Sequence, residues 1–308
     1  MMNYRYFSLF FLIASPSLLA EEYLSLVSIG FSQSSSDYYA DGASEIKPNN
    51  YSLSMVQQIS SNWVIGFDYG KKQGDGRWLN QDDLQIDLFN QAKIDSKSLG
   101  ISAVWLGDSF DLNFSIGSGN SQDISRSVLP SIEEVVDIDD KTFDISIDKS
   151  IELSSENGEN YWEFDFGLGV QYARVDLSIS DRINIDPPTM IDSQISQTNL
   201  SALLDFSVTY RFEETHLTWA PFLSASWNAE LSANGEQVVL ISRGDEVRTS
   251  DQLTERFATS FRIPDSGFWS AGLNVSWDNG WSSDLSYARN VSTNYKLERV
   301  SFAVSVIF

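Results

Sequence analysis

The chain has 308 residues, a formal net charge of −23 and no cysteine. Disulfides and thiolate-held metals are therefore excluded, and so strongly acidic a protein is a poor partner for nucleic acid. Aromatic residues make up 13% of it, more than a cysteine-free acidic soluble domain needs.

The N-terminal stretch MMNYRYFSLFFLIASPSLLA carries one early charge, Arg5, then an apolar run over 7–14, and ends on Ala20 before Glu21 and Glu22. It predicts a secretory signal over 1–20, cleaved after Ala20, with residues 21–308 as the exported domain. Beyond it no stretch is long and apolar enough for a transmembrane helix.

From about Tyr23 to Phe308 the chain reads as about twelve period-two runs. WVIGFDYG sets Trp63, Ile65, Phe67 and Tyr69 against Val64, Gly66, Asp68 and Gly70. LGISAVWL, FDLNFSIGSG, WEFDFGLGVQY and LSALLDFSVTYRF alternate in the same way. FWSAGLNVSWDNGWSSDLSYA holds two such runs joined at Asp278-Asn279-Gly280, a strong hairpin signal. Pro221 interrupts the run over 217–227 and predicts a bulge there.

The connections alternate in length. Short ones fall near Ser61, Asp108, Asn157, Glu213 and Asn279; long polar ones near 33–49, 73–95, 120–141, 180–195 and 230–266, with a shorter one at 290–297. Short turns at one end and long loops at the other predict an all-β, up-and-down antiparallel transmembrane barrel, its turns periplasmic and its loops extracellular. An even strand count places both termini in the periplasm of a Gram-negative cell. The aromatics sort the same way. Trp63, Trp105, Phe110, Trp162, Tyr210, Trp277, Trp281 and Phe308 fall at one end of the runs; Tyr51, Tyr69, Tyr172, Trp227, Trp269 and Tyr287 fall at the other. Two girdles around an apolar band suit a bilayer.

The final segment VSFAVSVIF puts Phe302, Val304, Val306 and Phe308 on one face. This resembles the C-terminal signal by which outer-membrane barrels are recognised by the assembly machinery. The chain as a whole, and GFWSAGLNVSWDNGWSSDLSYARNVSTNYKLERVSFAVSVIF in particular, resembles the translocator barrel of an autotransporter. That family exports an N-terminal passenger through its pore. Here the first strand follows the signal directly, so the resemblance implies a barrel without a passenger domain.

Inward positions are mainly Ser, Gly, Ala and Asn, with Asp68, Asp111, Asp144, Asp148, Glu163, Asp165, Asp205 and Asp284 among them and Arg211 as a basic exception. Small side chains leave a lumen for water, and carboxylates favour cations. The expected function is a passive, cation-preferring channel for small solutes. The alternative is a non-conducting platform that binds cells, lipopolysaccharide or other envelope components through its loops. Lys71, Lys72, Arg77, Lys93, Lys97, Arg174, Arg289, Lys296 and Arg299 fall near the outer rim, placed to meet lipopolysaccharide phosphates.

Catalysis finds little support. Outer-membrane phospholipases and proteases resemble this barrel in size but rely on a histidine at the outer leaflet. The one histidine here, His216, follows a short turn at the periplasmic end. SIEEVVDIDDK gathers Glu133, Glu134, Asp137, Asp139 and Asp140, oxygen ligands for a divalent cation, without the spacing of an EF-hand loop. Arg243-Gly244-Asp245 matches an integrin-binding tripeptide and reads first as a hairpin turn. The 230–266 segment is long enough to fold inward as a constriction, and no cofactor is implied.

Overall fold

A computed structural model describes residues 25–38, 43–44, 47–80, 88–127, 132–154, 160–184, 188–214, 216–243, 246–249, 266–291 and 295–308. The signal segment lies outside them. Fourteen strands run in order: β1 (Ser25–Tyr38), β2 (Ala43–Ser44), β3 (Asn49–Ser60), β4 (Trp63–Asn80), β5 (Leu88–Trp105), β6 (Asp111–Ser127), β7 (Ile132–Ser154), β8 (Asn160–Ile183), β9 (Thr189–Glu214), β10 (Leu217–Arg243), β11 (Glu246–Thr249), β12 (Ser266–Trp277), β13 (Trp281–Val291) and β14 (Tyr295–Ile307). Twelve of them close into an antiparallel barrel. β2 pairs only with β4, and β11 only with β10.

Closure is made by β14 lying against β1, with Phe302 opposite Phe31. The Phe308 N–H donates to the Ser25 carbonyl at 3.0 Å, and the Ser25 N–H returns the bond to Phe308 at 3.1 Å. No strand edge is left at this seam, which is what a membrane demands of a sheet.

The register fixes the barrel's shape. One path of opposed residues leaves β8 at Tyr161 and passes Arg211, Ala220, Asn274, Asp284, Ala303, Gly30, Ser52, Gly70, Ser98, Gly119 and Asp140, the Arg211–Ala220 step following the register of the pairs on either side. It returns to β8 at Val175, fourteen residues further on. With ~3.3 Å per residue and ~4.8 Å between strands, that stagger gives a tilt of roughly 39° and a backbone radius of roughly 12 Å.

Alternation then sorts the side chains. Ile65, Ile101, Ile116, Ile145, Leu168, Leu204, Leu223 and Leu285 are exposed on the outer face of the band. Trp105 stacks edge-on with Phe110 at 6.0 Å and Trp162 meets Tyr210 at 4.5 Å at the lower end. Phe31 meets Tyr51, and Trp269 meets Tyr287, both at 5.5 Å, at the upper end. The hairpin at Asp278-Asn279-Gly280 forms, with Gly280 at φ 83°, a backbone conformation that glycine adopts without a Cβ penalty.

Three expectations are corrected. Pro221 creates no bulge. Lacking an N–H, it interrupts the pairing of β9 with β10, yet Trp219 opposite Phe212 and Phe222 opposite Thr209 keep one register. The bulges lie instead between Gln58 and Ser60 and between Glu230 and Ser232.

The long polar segments at 73–95, 120–141 and 180–195 are also mostly strand rather than loop. β7 to β10 run for 23 to 27 residues and rise well above the upper girdle. The barrel therefore has a low wall, made by β12, β13, β14, β1 and β3, and a high wall from β4 to β10.

Finally, the 230–266 segment does not fold inward where it is described. Residues 230–243 continue the high wall and 246–249 pair back on them, while 250–265 lie outside the described residues. Arg243 stands opposite Glu246, and Gly244 and Asp245 of the tripeptide lie outside as well.

Candidate functional site: the lumen wall

The barrel interior is lined by residues whose register is opposite to the lipid-facing set. Asp68, Asp111, Asp144, Asp148, Glu163, Asp165, Asp205 and Asp284 all stand on this inner face. Asp148, Glu163 and Asp284 are buried, and Asp205 is exposed although it faces inward, so solvent reaches it within the barrel.

They do not form a ring. Asp111 lies directly opposite Asp148 across β6 and β7, and Asp148 and Asp205 flank Gly167 on β8. Gly167 is what lets the two approach. A Cβ there would sit 2.5 Å from Asp148 Oδ1 and 3.2 Å from the Asp205 Cβ. Asp165, two residues below Gly167, accepts a hydrogen bond from Ser207 Oγ at 2.6 Å and another from Ser150. Asp111, Asp148, Asp165 and Asp205 thus make one acidic patch on the β6–β9 wall. Asp144 sits above it, held by Ser115 Oγ at 2.6 Å, and Asp68 and Asp284 stand elsewhere round the barrel.

Below the patch, Arg211 Nε and Nη2 both donate to Glu163 Oε2, at 2.8 and 2.7 Å. The guanidinium lies 5.9 Å from the Tyr161 ring centroid. Glu163 is only 1% exposed, so this ion pair is deeply desolvated on the carboxylate side.

The rim cations divide. Lys71, Lys93, Lys97, Arg174 and Arg289 take outward register positions. Lys72 and Arg299 do not. Lys72 pairs with Asn50 and Ser96, and Arg299 with Ser34 and Ala288, all inward positions, because alternate residues must face opposite ways. Lys72 and Arg299 are therefore removed from the outer set. The side chains of Arg77 and Lys296 lie outside the described residues. Lys141, which the sequence reading passed over, stands outward beside Arg174. Its position in an acidic run, SIEEVVDIDDK, obscured it.

That acidic run is itself split. In β7, Glu134 and Asp140 face inward and Glu133, Asp137 and Asp139 outward, so the five do not converge. Among the described residues no group of ligands gathers for a metal ion. His216 sits exposed in the β9–β10 turn, its Nδ1 2.9 Å from Asp278 Oδ2. Phe302, Val304, Val306 and Phe308 share the outward face of the last strand, with Phe308 71% exposed.

Against known proteins, neither a protein-family profile nor a curated sequence matches this chain. Solved structures do. The chain superposes on the translocator domain of the autotransporter NalP from Neisseria meningitidis with a TM-score of 0.63 and 11% identity, covering 94% of this chain and 89% of that one. The fold is that of an autotransporter translocator barrel. The β domain of the Bordetella autotransporter BrkA gives a TM-score of 0.60 at 11% identity over 93% of this chain and 100% of the other. The transport unit of AIDA-I from Escherichia coli gives 0.50 at 12% identity, covering 97% and 93%. At such identities the likeness is one of fold alone, carried by a largely different set of side chains.

Proposed function

We propose that this translocator-like barrel sits in the outer membrane of a Gram-negative bacterium as a passive, water-filled channel preferring small cations. Its turns and termini then lie in the periplasm and its high wall outside. The observation that carries the reading is the one-sided patch of Asp111, Asp148, Asp165 and Asp205 in a lumen whose other inward positions are mainly small and polar, with Asp68, Asp144 and Asp284 adding carboxylates elsewhere. A cation passing it trades hydration for carboxylate oxygens, whereas an anion is repelled by the patch. The aqueous lumen explains why the band tolerates them at all.

The test is single-channel recording of the refolded mature chain in a planar bilayer under a KCl gradient. Steady conductance with a cation-selective reversal potential is expected, and Asp148→Asn with Asp205→Asn should move that potential toward zero. A folded barrel with no conductance would reject the channel.

A second reading, contact with lipopolysaccharide, rests on the outer face. Lys71 lies directly opposite Lys97, and Lys141 opposite Arg174, just above Tyr69 and Tyr172. Like charges in direct cross-strand pairs are destabilising unless anions meet them, and lipid phosphates at that depth would. Arg174 already holds Asp176 at 3.1 Å and Lys97 has a contact of its own, so the belt is in part internally compensated. Neutralising Lys71, Lys97 and Lys141 together should weaken lipopolysaccharide co-purification. Unchanged retention would remove this reading.

A further inference from the structure

Above the girdle the high wall continues as a curved sheet whose inner face is unlike the lumen below it. One inward row runs Ser121, Ile138, Leu177, Ile195 and Gln237; the next runs Asp123, Val136, Ile179, Ser193 and Val239. Ile138 and Ile195 are buried, while Val136, Leu177, Ile179 and Val239 are half-buried. Among the described residues no strand stands opposite at this height, because β12 to β14 end lower as described. Among the described strands, substantial contacts across the barrel run only between neighbours in the sheet, β1 with β2 apart. No second layer of described strands covers the aliphatic face.

Carboxylates border it. Glu134 and Asp181 stand directly opposite each other across β7 and β8, two residues above Val136 and Ile179. Asp123 lies beside Val136 on β6. Lys72 is the nearest inward cation on the β4 side, below Asp123.

We propose that this concave face binds an amphipathic organic cation, a small molecule with an aliphatic body and an ammonium or amidinium head. The body lies on the half-buried Val136, Leu177 and Ile179, with Ile138 and Ile195 buried behind them, and the head meets Glu134 and Asp181. The pairing follows from the chemistry of the face. Glu134 and Asp181 are hydrogen-bonded to each other, yet an uncharged apolar molecule leaves their desolvation and mutual repulsion in place, an anion is repelled, and a bare inorganic cation gains nothing from the aliphatic surface. Burial together with their mutual repulsion pushes Glu134 above the usual carboxylate range, and burial does the same to Asp181. A cationic head relieves both costs. The site is separate from the acidic patch in the band, and it stands whether or not the lumen conducts.

The experiment is calorimetric titration of the mature chain in lipid nanodiscs with hexylammonium, empty nanodiscs providing the blank for partition into lipid. Hexanol, hexanoate and methylammonium are the comparison probes. Hexylammonium should bind at least about tenfold more tightly than each, and Glu134→Gln with Asp181→Asn should cost about tenfold or more, as expected for a charge-assisted contact. Asp148→Asn should leave the affinity unchanged while altering ion selectivity, which separates this site from the channel. Equal binding of hexanol, equal binding by the Glu134/Asp181 variant, or no binding by the parent chain would each overturn the proposal.

Discussion

The same three strands, β7 to β9, behave oppositely at two heights. Within the band Ile145, Leu168 and Leu204 point out and Asp144, Gly167 and Asp205 point in. Above it Asp139, Asp176 and Ser196 point out and Ile138, Leu177 and Ile195 point in. No bulge separates the two regimes on these strands, so the backbone is continuous and only the side chains invert. What changes is the solvent on each side. Lipid suits the outside of the band and, on the proposed channel reading, water fills it; outside the membrane, water bathes the outer surface and the concave face is the sheltered one. Period-two alternation thus records which face is dry at each level, and not simply which face is inside.

The sharpest break of this pattern is the ion pair at the lower end, a charge buried where the rule allows only solvated ones. Arg211→Met should destabilise the barrel by about 3–5 kcal/mol, since it strands a desolvated Glu163. The double change Arg211→Met, Glu163→Leu should recover much of the loss. Urea unfolding in lipid vesicles, followed by tryptophan fluorescence, checks both. A loss under about 1 kcal/mol in the single variant would mean that water reaches Glu163.

Next comes the inversion itself, tested on one strand. Leu168 lies near mid-band and faces lipid, so Leu168→Arg should cost roughly 2–4 kcal/mol. Ser178 faces outward ten residues higher, in water, and Ser178→Arg should cost close to nothing. Equal penalties at the two positions, in the same unfolding assay, would place the upper bilayer boundary well above Tyr172.

Much of this was legible from sequence. Twelve strands, their closure and the lower girdle followed from alternation and aromatic placement, because a side chain facing lipid has few chemical options. What misled was polarity. VDLSISDRI alternates strictly over 175–180, whereas IEEVVDIDDK carries acidic residues on both faces, and charged stretches between strands read as loops. The inward turn of Lys72 follows directly from its neighbour Lys71 facing out, so treating both as one rim cluster ignored the period. Nothing local announced the acidic patch, whose members come from four strands and meet only through register and the absence of a Cβ at Gly167.

The smallest effect concerns the upper level alone. Asp123 is held above its usual range by burial, against the pull of Ser121 and Lys72, and Glu134 and Asp181 are raised likewise, with Asp192 adding repulsion at Asp181. A raised carboxyl binds more protons folded than unfolded, so stability falls as pH climbs from the ordinary carboxylate range through the folded value. Below that window the contribution is complete; above it the high wall carries unrelieved desolvated charge. Protease protection of the wall should therefore be greater at about pH 5 than at about pH 8, and Glu134→Gln with Asp181→Asn should flatten the difference. The band beneath should show no such change in that variant, since its unfolding does not involve the pair. A pH response that persists unchanged in the double variant would assign it to other carboxylates and leave the upper face without the electrostatic strain that a cationic ligand would relieve.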